Sequence, residues 1–155
     1  MSKGDDSSPD SDELPFSITL HVRDACMCLH LQRATRAVAR RFDEALRPVG
    51  LTNGQFSLLM SLNRPEPPLM RDVALILAMD RTTLTAMLKP LARRGLLDVT
   101  EDEKDRRGRR LALTPEGRAL LARAVPLWSR TEAAVEATLA GADPDRLRDD
   151  LRILS

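Results

Sequence analysis

Two short helical patterns joined only by Met79-Asp80 constrain this chain more than anything else in it. Met70 to Ala78 sets Val73, Ala74 and Leu77 on one face, and Arg81 to about Arg94 repeats Leu84, Leu88 and Leu91. Steps of three and four predict helices. Asp80 suits an N-cap for the second and Gly95 suits its end. The pair therefore predicts a helix-turn-helix. The face opposite the leucines of the second helix carries Arg81, Thr82, Thr85, Ala86, Lys89 and Arg93. Small and hydrogen-bonding side chains let a helix backbone enter the DNA major groove, and cations serve phosphates and guanines. Pro90 lies inside this helix, where proline costs roughly 3 kcal/mol, and predicts a local bend between Ala86 and Pro90.

A charged hairpin follows. Leu97 to Thr100 and Arg110 to Leu113 read as strands, and the run from Glu101 to Arg109 between them is too charged to pack and holds the turn glycine Gly108. Arg106, Arg107 and Arg109 at the tip suit a narrow, electronegative minor groove or phosphates. From Arg81 to Arg110 nine basic residues face five acidic ones, a net of +4 inside a chain whose total is only +1. The opposite imbalance lies at the start. Asp5, Asp6, Asp10, Asp12 and Glu13 stand among serines and prolines against Lys3 alone, so residues 1–16 are expected to be a disordered acidic tail.

The remaining segments read as helices. Leu31, Thr35, Val38, Phe42 and Ala45 share a face of one long helix from Ile18 to Leu46, which Pro48 and Gly50 end. Thr52 with Gln55 fits a capping box, and Leu51 with Phe56 fits a hydrophobic staple, for a helix from Asn53 to about Asn63. Pro65, Pro67 and Pro68 stop it. Thr114-Pro115-Glu116 opens a helix to about Ala140, with a bend expected at Pro126, and Asp143-Pro144 opens a last one to Leu154.

Other function classes find little here. No run approaches the ~20 apolar residues of a membrane span, and the first residues lack the apolar core of a signal peptide. There is no phosphate loop, no pair of catalytic acids in a plausible cleft and no nucleophile-base motif, so no enzyme and no cofactor is expected. Cys26 and Cys28 are too close to staple a fold, which predicts reduced thiols in a cytoplasm. With 3% aromatic residues, Leu, Ala, Met and Val must fill the core.

These residues resemble the MarR family of bacterial transcription regulators from about Cys26 to Leu154. The most specific parts are Gly50-Leu51-Thr52 with Gln55-Phe56, Asp80-Arg81-Thr82-Thr83-Leu84-Thr85, Asp102 through Arg107, and Leu113-Thr114-Pro115-Glu116-Gly117. The resemblance implies a mainly α fold: a winged helix-turn-helix with a two-stranded β wing over 51–114, and a helical dimerisation region over 17–50 and 115–155. It implies a symmetric homodimer on a pseudo-palindromic operator in double-stranded DNA, with half-sites about one helical turn apart. Thr83 joins the DNA-facing set through the shared motif. Asp105 and Arg106 match a wing motif in which the aspartate helps to order the wing and the arginine enters the minor groove. Lys104 stands where the family often has another arginine.

The effector is less well marked. Cys28 falls where the organic-peroxide-sensing branch (the OhrR type) places a reactive cysteine, which makes oxidation to a sulfenic acid the sensing chemistry. That branch holds the cysteine with tyrosine hydroxyls. This chain has no tyrosine, and Gln32 and Phe42 occupy the matching positions. Cys26 and Cys28 stand about 200° apart around a helix, poorly placed for a disulfide. Cys26 and His30 share a face, yet two ligands do not complete a metal site. A small aromatic or anionic effector is the alternative signal, with His30, Arg33, Phe56, Met60 and Trp128 as candidate lining. The expected output is repression by occlusion, in a cytoplasmic protein that joins the nucleoid when bound. The rival reading is a winged-helix protein-interaction module without a DNA site.

Overall fold

The computed structural model describes residues 14–155, so the expected acidic tail lies almost wholly outside the described residues. The chain divides into a unit ending at Ala37 and a larger one from Val38 onward. Among the described residues no helix is long and apolar enough to cross a membrane.

The first segment corrects one expectation. Instead of one helix there are two, α1 (Phe16–Ala25) and α2 (Met27–Leu46), divided at Cys26 where ψ is 105°. Neither proline nor glycine causes the break. The Cys26 N–H still donates to the Val22 carbonyl (3.0 Å) and its carbonyl still accepts from the His30 N–H (3.2 Å). The thiol then caps the second helix, its sulfur accepting from the Leu29 N–H at 3.5 Å. A side chain at the N-cap that accepts from the third helical N–H is the role usually taken by Ser, Thr or Asp. Phe16, Val22 and Met27 in this unit are exposed.

In the larger unit, a single 3-10 turn (Arg47–Val49) closes α2, and Gly50 takes the left-handed conformation at φ +65°. Then come α3 (Asn53–Ser61), α4 (Met70–Ile76), α5 (Arg81–Arg93), β1 (Leu97–Glu101), β2 (Arg109–Leu113), α6 (Pro115–Ala137) and α7 (Pro144–Ile153). The capping box of Thr52 and Gln55 is formed in both directions. Thr114 and Asp143 cap α6 and α7 through their side chains. Helix α6 ends three residues before the expected Ala140, which itself has φ +42°. Ala78, in the turn after α4, has φ +49° and ends that helix at Ile76 rather than Ala78.

The core of this unit joins the helix-turn-helix to its supports. Leu58 and Leu59 of α3, Val73 of α4, Leu84 and Leu91 of α5, and Leu97 and Leu111 of the strands are fully buried, with Leu120 and Leu121 of α6 beside them. Burying each such side chain is worth roughly 1.5–3 kcal/mol. The strands pair antiparallel from Leu97↔Leu113 to Glu101↔Arg109. One close approach fixes α6 against this hairpin: a Cβ on Gly117 would lie 2.0 Å from the Leu96 carbonyl oxygen.

Candidate nucleic-acid interface

Helix α5 begins at a tight cap. The Asp80 carboxylate accepts from the Thr83 N–H (2.8 Å) and the Thr83 hydroxyl (2.6 Å). Those bonds, the hydroxyl one first, hold Asp80 below the usual carboxylate range. Thr83 thus has its proton committed to the cap and keeps only oxygen lone pairs for another partner. Thr85 likewise donates to the Arg81 carbonyl at 2.7 Å. Arg81, Thr82, Lys89 and Arg93 are exposed along the helix. Arg94 faces elsewhere and donates to the Gly50 carbonyl at 2.7 Å.

The helix runs without interruption through Pro90. The missing N–H leaves the Ala86 carbonyl without its helical donor, and exposed Ala86 can pass that carbonyl to water. The outer face of α5 therefore stays helical along its whole length.

The wing is ordered from below. Asp102 is the one buried charged residue among the described residues, 6% exposed. Its carboxylate accepts from Arg110 Nε at 2.7 Å, and Arg110 Nη1 reaches the Pro67 carbonyl at 2.8 Å. The Arg110 guanidinium, ahead of all other causes, holds Asp102 below the usual carboxylate range. A backbone bond from the Leu111 N–H to Pro68 O (3.0 Å) and a bridge between Leu69 and Arg110 extend the same tie. The hairpin is thus fastened to the segment that leads into α4. Sequence reasoning missed the pairing of Asp102 with Arg110, because both residues lie in or beside a dense run of charges. The signal that could have found it is strand register, which sets Thr100 opposite Arg110 and so brings Asp102 near the same end of the ladder.

At the tip, Asp105 Oδ1 accepts from the Arg107 N–H (3.0 Å) and the Asp105 carbonyl accepts from the Gly108 N–H (2.7 Å). Gly108 suits this turn because a Cβ would come within 3.1 Å of Asp102 Cβ and of the Asp105 oxygen. Arg106 and Arg107 are exposed. Arg109 folds back instead, donating to the Arg106 and Gly108 carbonyls at 2.9 and 3.2 Å and lying 3.5 Å from Glu101. Helix and wing meet at two clefts. One, of about 310 Å³, has Arg81, Asp105, Arg107 and Arg109 in its walls. The other, of about 280 Å³, has Arg81, Thr85, Lys89 and Arg109. Of the ten residues expected to face DNA, these clefts bring together six: Arg81, Thr85, Lys89, Asp105, Arg107 and Arg109.

Of the expected effector residues, Phe56, Met60 and Trp128 belong to the larger unit. Phe56 is buried and stacks on Trp128 with ring centroids 6.2 Å apart, as a core pair. Met60 is partly exposed. His30 and Arg33 belong to the N-terminal unit and are exposed, with His30 Nδ1 2.8 Å from the Cys26 carbonyl oxygen. Cys28 is exposed and its sulfur accepts from Gln32 Nε2 at 3.4 Å. The 200° separation of Cys26 and Cys28 required a continuous helix, and Cys26 stands at the break instead. Among the described residues no group of three or more His, Cys, Asp or Glu is placed to hold a metal ion.

Comparison with known proteins places this geometry. A family model described as the MarR family matches residues 49–108, from the turn before α3 to the wing. The transcriptional regulator MosR of M. tuberculosis, solved in complex with DNA, is similar at 40% identity and a TM-score of 0.75, over 83% of this chain and 92% of that one. The transcriptional repressor CouR, bound to a 23-mer DNA duplex, is similar at 32% identity and a TM-score of 0.70, over 92% and 95%. An organic hydroperoxide resistance transcriptional regulator of Bacillus subtilis is 28% identical over 101 residues, 65% of this chain and 69% of that one.

Proposed function

This chain belongs to the MarR family, and from that premise and the geometry of α5 and the wing we propose that it is a homodimeric, DNA-binding transcription repressor rather than an enzyme. The observation that carries the reading is the meeting of Arg81, Thr85 and Lys89 with the wing arginines on one surface. In this reading α5 enters the major groove, and Arg106 and Arg107 reach the adjacent minor groove or its phosphates. Two copies read a pseudo-palindromic operator and occlude a promoter. Exposed apolar side chains on α1 (Phe16, Val22) and on α7 (Leu147, Leu151) support pairing between copies. The site of action is the bacterial cytoplasm, on the nucleoid. The exposed Arg106-Arg107 tip favours this over a protein-interaction module, which is expected to lack such a basic tip.

For the signal, the exposed Cys28 thiol with its Gln32 donor supports oxidation, as does the name of the similar Bacillus subtilis protein. The thiolate attacks the terminal hydroperoxide oxygen, the O–O bond breaks, the departing alkoxide takes a proton from water to leave as an alcohol, and a sulfenic acid remains on Cys28. Fluorescence anisotropy on the DNA upstream of the protein's own gene tests both parts. Salt-sensitive binding that peroxide abolishes, and that Cys28→Ser makes indifferent to peroxide, is expected. Binding unchanged while Cys28 is oxidised removes the thiol as sensor, and no salt-sensitive binding to duplex DNA removes the regulator.

A further inference from the structure

We propose that α5 reads the major groove through acceptors, namely the Ala86 carbonyl and the Thr83 and Thr85 hydroxyl oxygens. On the strand they face, these select the amino bases adenine and cytosine over the keto bases guanine and thymine. The proposal rests on the DNA-binding reading of α5 and deepens it. Three observations converge. Pro90 has no N–H, so the Ala86 carbonyl lacks the donor of a regular helix, although α5 continues past it to Arg93. Ala86 is exposed and carries only a methyl group, which lets the backbone itself approach a base edge. The Thr83 hydroxyl gives its proton to Asp80 Oδ2 at 2.6 Å, and the Thr83 N–H binds the same carboxylate at 2.8 Å. Bonds to an ionised carboxylate are the strong ones, so this proton stays on the cap. The Thr85 hydroxyl gives its proton to the Arg81 carbonyl at 2.7 Å. Each of the two hydroxyls keeps lone pairs and has no second proton to offer.

At about 100° per residue, Ala86 lies between Thr83 and Thr85 on the side opposite the buried Leu84, Leu88 and Leu91. Thr82 adds no bias of this kind, since a hydroxyl that can turn serves as donor or acceptor. The chemistry of the groove converts the polarity into a base preference. Adenine and cytosine offer amino groups there, N6 and N4, whereas guanine and thymine offer the keto oxygens O6 and O4. An acceptor that meets an amino group gains a hydrogen bond. One that meets a keto oxygen faces a second acceptor, stripped of water and with no proton between them. Wherever α5 sets an acceptor, adenine and cytosine are therefore tolerated alike, and guanine and thymine are rejected alike. Arg81, Lys89 and Arg93 have the opposite polarity, because their charged groups only donate and suit guanine or phosphate. The cations thus select keto bases where they reach them, and the neutral groups between them select amino bases.

The test uses the full chain to enrich bound sequences from a randomised DNA duplex pool, and then measures all four bases at each position of the enriched site. At least two positions are expected where adenine and cytosine bind alike and guanine and thymine bind at least about fivefold more weakly. Replacing adenine there by purine, which lacks only the amino group, should cost a similar factor. Pro90→Ala restores the N–H that the Ala86 carbonyl lacks, so one such position should lose its preference while the salt slope holds. Thr85→Val keeps the shape of the side chain and removes its oxygen, and should level another position. Enrichment without positions of this kind, indifference to purine, or an unchanged preference in either variant overturns the proposal and leaves DNA binding standing. A pool that yields no preferred sequence overturns the operator reading as well.

Discussion

Removing the charge of Asp102 should separate holding the wing from touching DNA. Asp102→Asn loses the carboxylate that Arg110 holds but no phosphate contact. DNA affinity is expected to fall with an unchanged salt slope, whereas Arg106→Ala should lower that slope by about one unit. The pH dependence follows from the depressed carboxyl of Asp102. A group of this kind contributes fully above its unfolded value, ~3.9, and its contribution is lost as pH falls through the folded one. The stability gap between wild type and Asp102→Asn, read by urea unfolding, should hold from neutrality to about pH 5 and narrow below about pH 4. A gap that ignores acid would refute the ion pair's role. Ala78 offers a second check, because a left-handed alanine costs roughly 1–2 kcal/mol while glycine's extra freedom when unfolded returns about 0.4–1. Ala78→Gly should therefore raise stability by about 0.5 kcal/mol, seen as a higher midpoint in the same unfolding curves. Neither residue announces itself in the sequence. Asp102 sits in a run of charges where only strand register singles it out, and nothing marks Ala78 as the residue that turns left-handed.

At the scale of elements, four helix starts were legible because each is a local chemical event. Thr52, Asp80, Thr114 and Asp143 all accept from backbone N–H groups two or three residues on, as their types and spacing require. The break at Cys26 was not legible, since a thiol is an uncommon cap and the apolar spacing continues across it. Tertiary approach was equally hidden. Gly117 looked like one more first-turn residue after Thr114-Pro115, yet the Leu96 carbonyl leaves no room for a side chain. Gly117→Ala should cost about 3 kcal/mol, through displacement of α6 from the hairpin, and lower the thermal midpoint accordingly. A variant as stable as wild type would mean that the helix shifts without penalty.

For the whole molecule, the helix-turn-helix and wing share one core with α2, α3 and α6, while α1 and α7 keep apolar side chains in water. Leu147 and Leu151 lie on the same face of α7 and are about two-fifths exposed, at 41% and 40%. Arg148, between them in sequence, binds Glu132 and Glu136 of α6 and Asp145 of α7, which fastens the helix to α6. If copies pair through α7, the thermal midpoint should rise with protein concentration. Leu151→Glu should abolish that rise and yield a monomer in sedimentation, and a concentration-independent wild type would argue against pairing. The arginine cluster was not legible in the sequence, because it depends on how α6 and α7 pack.

The wing's fastening has a consequence for how such a protein changes target. Arg110, Asp102 and the Pro67 and Pro68 carbonyls secure the base of the hairpin, and none of them lies between residues 103 and 107. The tip is therefore a replaceable cassette on a permanent mount. Lineages and engineers alike can exchange its residues to suit a different groove width, while the mount keeps the hairpin folded and aimed.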